Sequence, residues 1–252
     1  MRKTVCAMVA AGAVSLGGGA LASNPVDRAA GRPITPQQLV ARALPPAANV
    51  APTGEPDPRG ARAPYEVRGF RSARFGMDQD EVKAAIARDF GMPADSVSTL
   101  VNANEGTTVL MVRTPLPPGP GLAVVSYILG ATRHRLIHVN VVWTTGPEPT
   151  SAERQAIATA GLQLSGYFRK QTWPKAPLKV GLTHDGLLMF GAEDAAGASI
   201  DIEARAVVVV RTLGGKVETS HPTGPAFLKL SFAQDPAHPD VASIAKGSPA
   251  SP

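Results

Sequence analysis

Residues 122–168 decide the fold: LAVVSYILGATRHRLIHVNVVWTTGPEPTSAERQAIATAGLQLSGYF. Leu122 to Leu129 and Arg135 to Thr144 alternate apolar with polar or small residues, the period of a half-buried strand. Gly130-Ala131-Thr132-Arg133-His134 between them reads as a hairpin connection. In the second strand Ile137, Val139, Val141 and Trp143 are expected on one face. Leu136, His138, Asn140 and Val142 are expected on the other. The period then changes. Thr150 with Glu153 makes a capping box, Ile157, Gly161, Leu164 and Phe168 recur on one helical face, and Pro174 stops the helix after Trp173. A strand pair with a tight turn, followed by a helix, calls for antiparallel pairing.

The same grammar extends outward. Asp78 with Glu81 forms an earlier capping box, followed by Val82, Ala85, Ile86 and Phe90 at helical spacing and by Gly91 and Pro93 as a stop. Thr107 to Thr114 reads as a strand after that helix. Leu178 to Thr183, a turn at His184-Asp185-Gly186, Leu187 to Phe190, Ser199 to Arg211 and Phe227 to Phe232 follow the second helix. The order is helix then strands, twice over. The fold class is therefore α+β, an antiparallel sheet with helices packed on one face, with a suggestion of two tandem halves.

Every aromatic residue lies between Tyr65 and Phe232, which marks residues 65–232 as the folded domain because aromatic side chains supply the large buried contacts. Tyr127 and Trp143 are expected in its core. Residues 23–64 hold nine prolines among Ala, Gly and Arg and read as a disordered linker, within which Thr35 to Leu44 could form a short amphipathic turn. Residues 233–252 read as a disordered tail. Residues 1–22 have the form of a signal peptide: Arg2 and Lys3, an apolar run from Val5 to Leu16, a Gly17-Gly18-Gly19 break, and Ala20-Leu21-Ala22 before a cut. Cys6, the single cysteine, precedes most of that run, so it is not a lipobox cysteine and no disulfide framework is available. Ala/Gly/Pro/Arg-rich usage fits a bacterial source, and the expected location is periplasmic or secreted.

Composition narrows the functional classes. The chain of 252 residues carries a formal charge of +5 and is 44% apolar. Residues 65–232 hold 17 Lys and Arg against 15 Asp and Glu, too even a balance for a polyanion, so nucleic acid is not an expected partner. Gly214-Gly215-Lys216 lacks the flanking residues of a phosphate loop, and no His-Glu-x-x-His or Gly-x-Ser-x-Gly motif occurs. His134 and His138 are too far apart on an extended strand to share a metal unless His134 belongs to the turn. His184-Asp185 reads as turn chemistry before it reads as a catalytic pair. Asp201 and Glu203 share a strand face and read as solvated. No catalytic residue, metal site or cofactor is assigned.

Gly76-Met77-Asp78, then Glu81-Val82, Ile86 and Gly91-Met92-Pro93, resemble the opening of the BamE/OmlA-like envelope proteins, whose pattern is Gly-Met-Thr, Gln/Glu-Val and Leu-Gly-x-Pro. The match spans residues 76–93, with Asp for Thr, a longer spacing from Val82 to Gly91, and no lipobox cysteine. The resemblance implies a β-lactamase-inhibitor-protein-type module, helices on an antiparallel sheet, that works by binding proteins or supporting assemblies.

The candidate partner-binding residues are Arg68, Arg71 and Arg74 with Phe70 and Phe75 between them, since guanidinium groups beside aromatic rings suit carboxylates and phosphates. On one continuous strand Arg71 would point away from Arg68 and Arg74. The expected function is an exported, non-enzymatic binding or accessory protein of the bacterial envelope, acting by protein–protein contact with an envelope protein. The alternatives are a periplasmic hydrolase or lyase using a His–carboxylate pair (His184 or His138) and a carrier of a small apolar ligand.

Overall fold

The computed structural model describes residues 7–8, 63–175, 179–183, 186–213 and 216–242. The expected signal peptide, linker and distal tail fall almost wholly outside these residues, as do His184 and Asp185.

The chain enters through a short hairpin, β1 (Gly69–Phe70) and β2 (Ala73–Arg74), and passes into helix α1 (Gln79–Phe90). A four-strand meander follows: β3 (Ser98–Asn102), β4 (Thr107–Pro115), β5 (Leu122–Leu129) and β6 (Leu136–Thr144). Helix α2 (Ser151–Arg169) opens the second half, with β7 (Lys179–Leu182), β8 (Leu187–Glu193), β9 (Ser199–Arg205), the hairpin β10 (Val210–Leu213) and β11 (Lys216–Thr219), and finally β12 (Phe227–Ala233). Eight strands form one antiparallel sheet in the order β3-β4-β5-β6-β12-β9-β8-β7. Each half is a helix followed by four strands of the sheet, the second set interrupted by the β10–β11 hairpin, and the last strands of the two sets pair with each other, Leu230 opposite Val141.

Both helices start where their capping boxes place them. Asp78 accepts the Glu81 amide at 3.0 Å and Glu81 accepts the Asp78 amide at 2.8 Å; Thr150 and Glu153 repeat the exchange. Gly91 ends α1 in the left-handed conformation, φ 63°. The helices close over one sheet face, and their buried residues (Val82, Ala85 and Ile86; Ile157, Leu164 and Phe168) join a single core with Val125, Tyr127, Val139, Val141, Ile200, Ile202, Leu228 and Leu230. Gly161 allows α2 to press onto the sheet, because a Cβ there would overlap Met189 Sδ. Trp143 is buried, as expected, and donates its indole N–H to Leu116 O at 2.8 Å. Tyr127 is buried too.

Several elements differ from the sequence reading. Gly69 to Arg74 fold back as a hairpin, with Arg71 at its turn in the left-handed region, φ 54°. Leu136 is buried and Ile137 half-exposed, the reverse of strict alternation, because the ladder slips by one residue between β5 and β6 at Leu129. The long strand expected over Ser199 to Arg211 breaks after Arg205, where Ala206 has φ 49° and its carbonyl accepts Arg154 Nη1 at 2.7 Å. Ser98–Asn102 forms an edge strand that no alternation announced. Residues 235–242, read from sequence as tail, lie against the Gly130–Arg133 turn: Ala131 N donates to Asp240 O at 2.8 Å, and Ala242 N donates to Glu105 O at 2.8 Å.

Gly69 has φ 128°, and a Cβ there would overlap the Ala73 carbonyl oxygen. Gly69→Ala is expected to destabilise the domain by about 2 kcal/mol or more, read as a lowered urea midpoint with an unchanged slope.

Candidate functional site

The sheet face without helices is built from cross-strand rows. Register aligns Ser126, Asn140, Ser231 and Asp201 on β5, β6, β12 and β9, and beside them Ile128, His138, Ala233 and Ser199. Their strand neighbours Val139, Val141, Ile200, Ile202, Leu230 and Phe232 point into the core, so the pleat sends these rows outward. Across the ends of β6, β12 and β9 this floor opens into a groove of about 960 Å³. Arg68, Arg74 and Phe75 line it together with Arg133 and the Pro236–Asp240 segment.

Carboxylates fasten the groove's lining segments by capping backbone amides. Asp194, buried, accepts Val67 N at 2.9 Å, Ala196 N at 2.9 Å and Ala198 N at 3.0 Å, tying the incoming strap, residues 63–68 ahead of β1, to the β8–β9 turn. Asp240 accepts Thr132 N at 3.1 Å and Arg133 N at 3.0 Å, which holds its carboxyl below the usual carboxylate range, the Arg133 amide contributing most. Asp235 accepts Ala237 N at 3.2 Å and His238 N at 3.0 Å. Glu66 is taken by the Arg68 guanidinium. Arg74 is different: among the described residues its side chain makes no ion pair or hydrogen bond.

The structure thus divides the predicted arginine cluster. Arg68, Arg74 and Phe75 share the groove. Phe70 does not, because it is fully buried against Phe232 at 5.6 Å between ring centroids, so it cannot face a partner. Arg71 turns the other way, its guanidinium 5.1 Å from the Phe90 ring centre and 5.8 Å from that of Phe70, with Nη1 donating to Asp89 O at 3.4 Å. Hairpin geometry, not strand alternation, produces this split.

His138 sits on the groove floor. Its Nε2 lies 2.7 Å from Ser231 Oγ and 3.1 Å from Asn140 Oδ1, and burial pushes its pKa below the ordinary histidine value. None of the carboxylates among the described residues is hydrogen-bonded to it, so the His–carboxylate pair of the hydrolase reading is not formed at His138. His134 belongs to the turn, with φ 51°. Glu203 is held by Arg205 at 2.8 Å and Lys229 at 3.1 Å. The Asp240 segment and the His138–Ser231 contact were not found from sequence; the only signals were the isolated Asp240 among prolines and the in-register spacing of polar residues on three strands. Comparison with protein-family models, curated proteins and solved structures gives no match, so the reading of the site rests on this geometry.

Two outcomes follow. Asp194→Ala leaves three amides without their acceptor and is expected to lower stability by about 2–4 kcal/mol, measured by urea denaturation. His138 has a folded pKa below its ordinary 6.5, so the unfolded chain takes up the proton first as pH falls. Its contribution to stability is complete above about pH 6.5 and is lost as pH falls through the folded value. In His138→Gln that loss should disappear from the pH dependence of the denaturation midpoint. The Asp240 contribution, lost only as pH falls below the ordinary aspartate value, should remain.

Proposed function

We propose that this protein is an exported, non-enzymatic binding or accessory module of the bacterial envelope, and that it holds a protein partner in the groove lined by Arg74 and Phe75. The observation that carries this reading is Arg74 itself. It is the one groove arginine with no acidic partner among the described residues, next to the half-buried Phe75 and opposite a floor of hydrogen-bonding side chains. A guanidinium with free donors and an adjacent ring suits a carboxylate side chain on an apolar-flanked segment. The groove is open and its polar floor is fitted to hydrogen bonding, which favours a protein surface over a small apolar ligand. The export form of residues 1–22 and the resemblance of residues 76–93 to BamE/OmlA-like proteins support the envelope setting.

A hydrolase is the second reading, and one observation favours it: Ser231 Oγ lies 2.7 Å from His138 Nε2. No carboxylate among the described residues orients that imidazole, and strand pairing occupies the neighbouring amides.

The test uses crosslinking of the protein in envelope fractions. Arg74→Glu should lose a partner that wild type captures, by about tenfold or more, while Arg113→Glu, an exposed control on β4, keeps it. Both variants should melt as wild type does. Retention of the partner by Arg74→Glu overturns the groove assignment, and an unprocessed chain found in the cytosol overturns the envelope assignment.

A further inference from the structure

The eight-stranded sheet has two edges, and they are built differently. At one, β7 joins β8 through a register irregularity between Lys179 and Gly181. Bulges and glycine of this kind discourage a further strand from pairing. At the other, β3 pairs with β4 over five consecutive residues, Ser98 opposite Met111 through Asn102 opposite Thr107, without a slip. Its sequence, STLVN, has no charge, proline or glycine. Leu100 is 54% exposed and Val101 72% exposed, on opposite faces of the strand. Among the described residues nothing pairs with its outer edge. A straight, uncharged edge of this type presents unpaired N–H and C=O groups, and another extended strand is what satisfies them.

We propose that β3 is a self-association edge, at which two copies of the chain join antiparallel about a two-fold axis through Leu100. This register sets Leu100 against Leu100, Thr99 against Val101, and Ser98 against Asn102. Every pair is apolar, β-branched or uncharged polar, and none opposes like charges. Residue parity is kept, so both helix layers stay on one side of the extended sheet and both grooves on the other. The contact is isologous and uses up both β3 edges, so assembly stops at two. It is also small, and belongs with reversible interfaces that bury less than about 1,200 Å². Asp95 and Glu105 flank the strand, so each end of the joint brings acid toward acid; added salt screens this repulsion and strengthens association.

Sedimentation velocity of the full chain over a dilution series, at low and high salt, tests the proposal. The expected result is a monomer–dimer equilibrium that shifts toward dimer with salt and is weakened about tenfold or more by Val101→Lys. In a Cys6→Ser background, Leu100→Cys should form a disulfide-linked dimer on mild oxidation, because directly opposed strand residues bring their Cα atoms within bridging distance. Val180→Cys, on the opposite edge, should not. A chain that stays monomeric throughout, a dimer that Val101→Lys leaves unchanged, or crosslinking at Val180 and not at Leu100 would each overturn the assignment.

Discussion

Phe168 is the point on which the domain turns. Its ring lies 5.9 Å from Tyr65, 5.1 Å from Tyr167, 5.8 Å from Phe190 and 6.3 Å from Phe232, mostly edge to face. Through these contacts one residue near the end of α2 joins the incoming strap, the helix, β8 and β12. Trp173 and Phe70 extend the cluster through Tyr65, Phe190 and Phe232. The chain has only twelve aromatic residues, and seven of them meet here. Burying a ring of this size contributes roughly 1.5–3 kcal/mol, and geometry of this kind adds to that. The groove inherits its shape from this cluster, since Tyr65 fixes the strap that carries Glu66 and Arg68, and Phe70 fixes the hairpin that carries Arg74.

Charge adds to this apolar hold on the lining segments. Asp194 and Asp240 each gather amides from segments more than a hundred residues away in sequence. This use of carboxylates explains why a groove with so many acidic side chains still presents a cation. Glu66 is committed to Arg68, and Asp194, Asp235 and Asp240 to backbone N–H groups, while Arg74 makes no ion pair among the described residues. Charge balance read from sequence alone, near zero in this domain, conceals such a residue because it cannot tell structural carboxylates from free ones.

What could be read beforehand follows from the range of each interaction. Capping boxes are contacts between residues three apart, so Asp78–Glu81 and Thr150–Glu153 placed both helices correctly. Alternation on β5, β6, β9 and β12 is equally local and gave the fold class. The hairpin at Gly69–Arg74 is two residues per strand, too short for alternation to register. Ser98–Asn102 has no buried side, so it shows no pattern. The face exchange of Leu136 and Ile137 comes from a slip against β5, and the break at Ala206 from a carbonyl claimed by Arg154 on a distant helix. Residues 235–242 look like tail because their anchors, the Asp240 carboxylate on the Thr132 and Arg133 amides and backbone bonds to Ala131 and Glu105, are all distant in sequence. The candidate site was legible in part: Arg68, Arg74 and Phe75 lie close together in sequence, whereas His138 and Ser231 meet only after β6 and β12 have found their register.

The tandem plan determines where polar groups are tolerated. Because β6 and β12 are the last strands of their sets, the seam between halves falls at the middle of the sheet, where a two-layer domain has its least exposed outer surface. Side chains there are flanked on both sides by other strands, so a polar residue must find a partner within the face itself. His138 does so across the seam with Ser231 and along its own strand with Asn140, and Lys229 does so with Glu203 on β9. Toward β4 and β5 the same face carries Val109, Met111, Val124 and Ile128, half-buried by their own neighbours. A helix layer over both faces would have required this seam to be apolar. Leaving one face open lets hydrogen-bonding side chains sit at the centre of the sheet, where the rigid strands of both halves hold them in register, and that is the condition a preformed recognition floor requires.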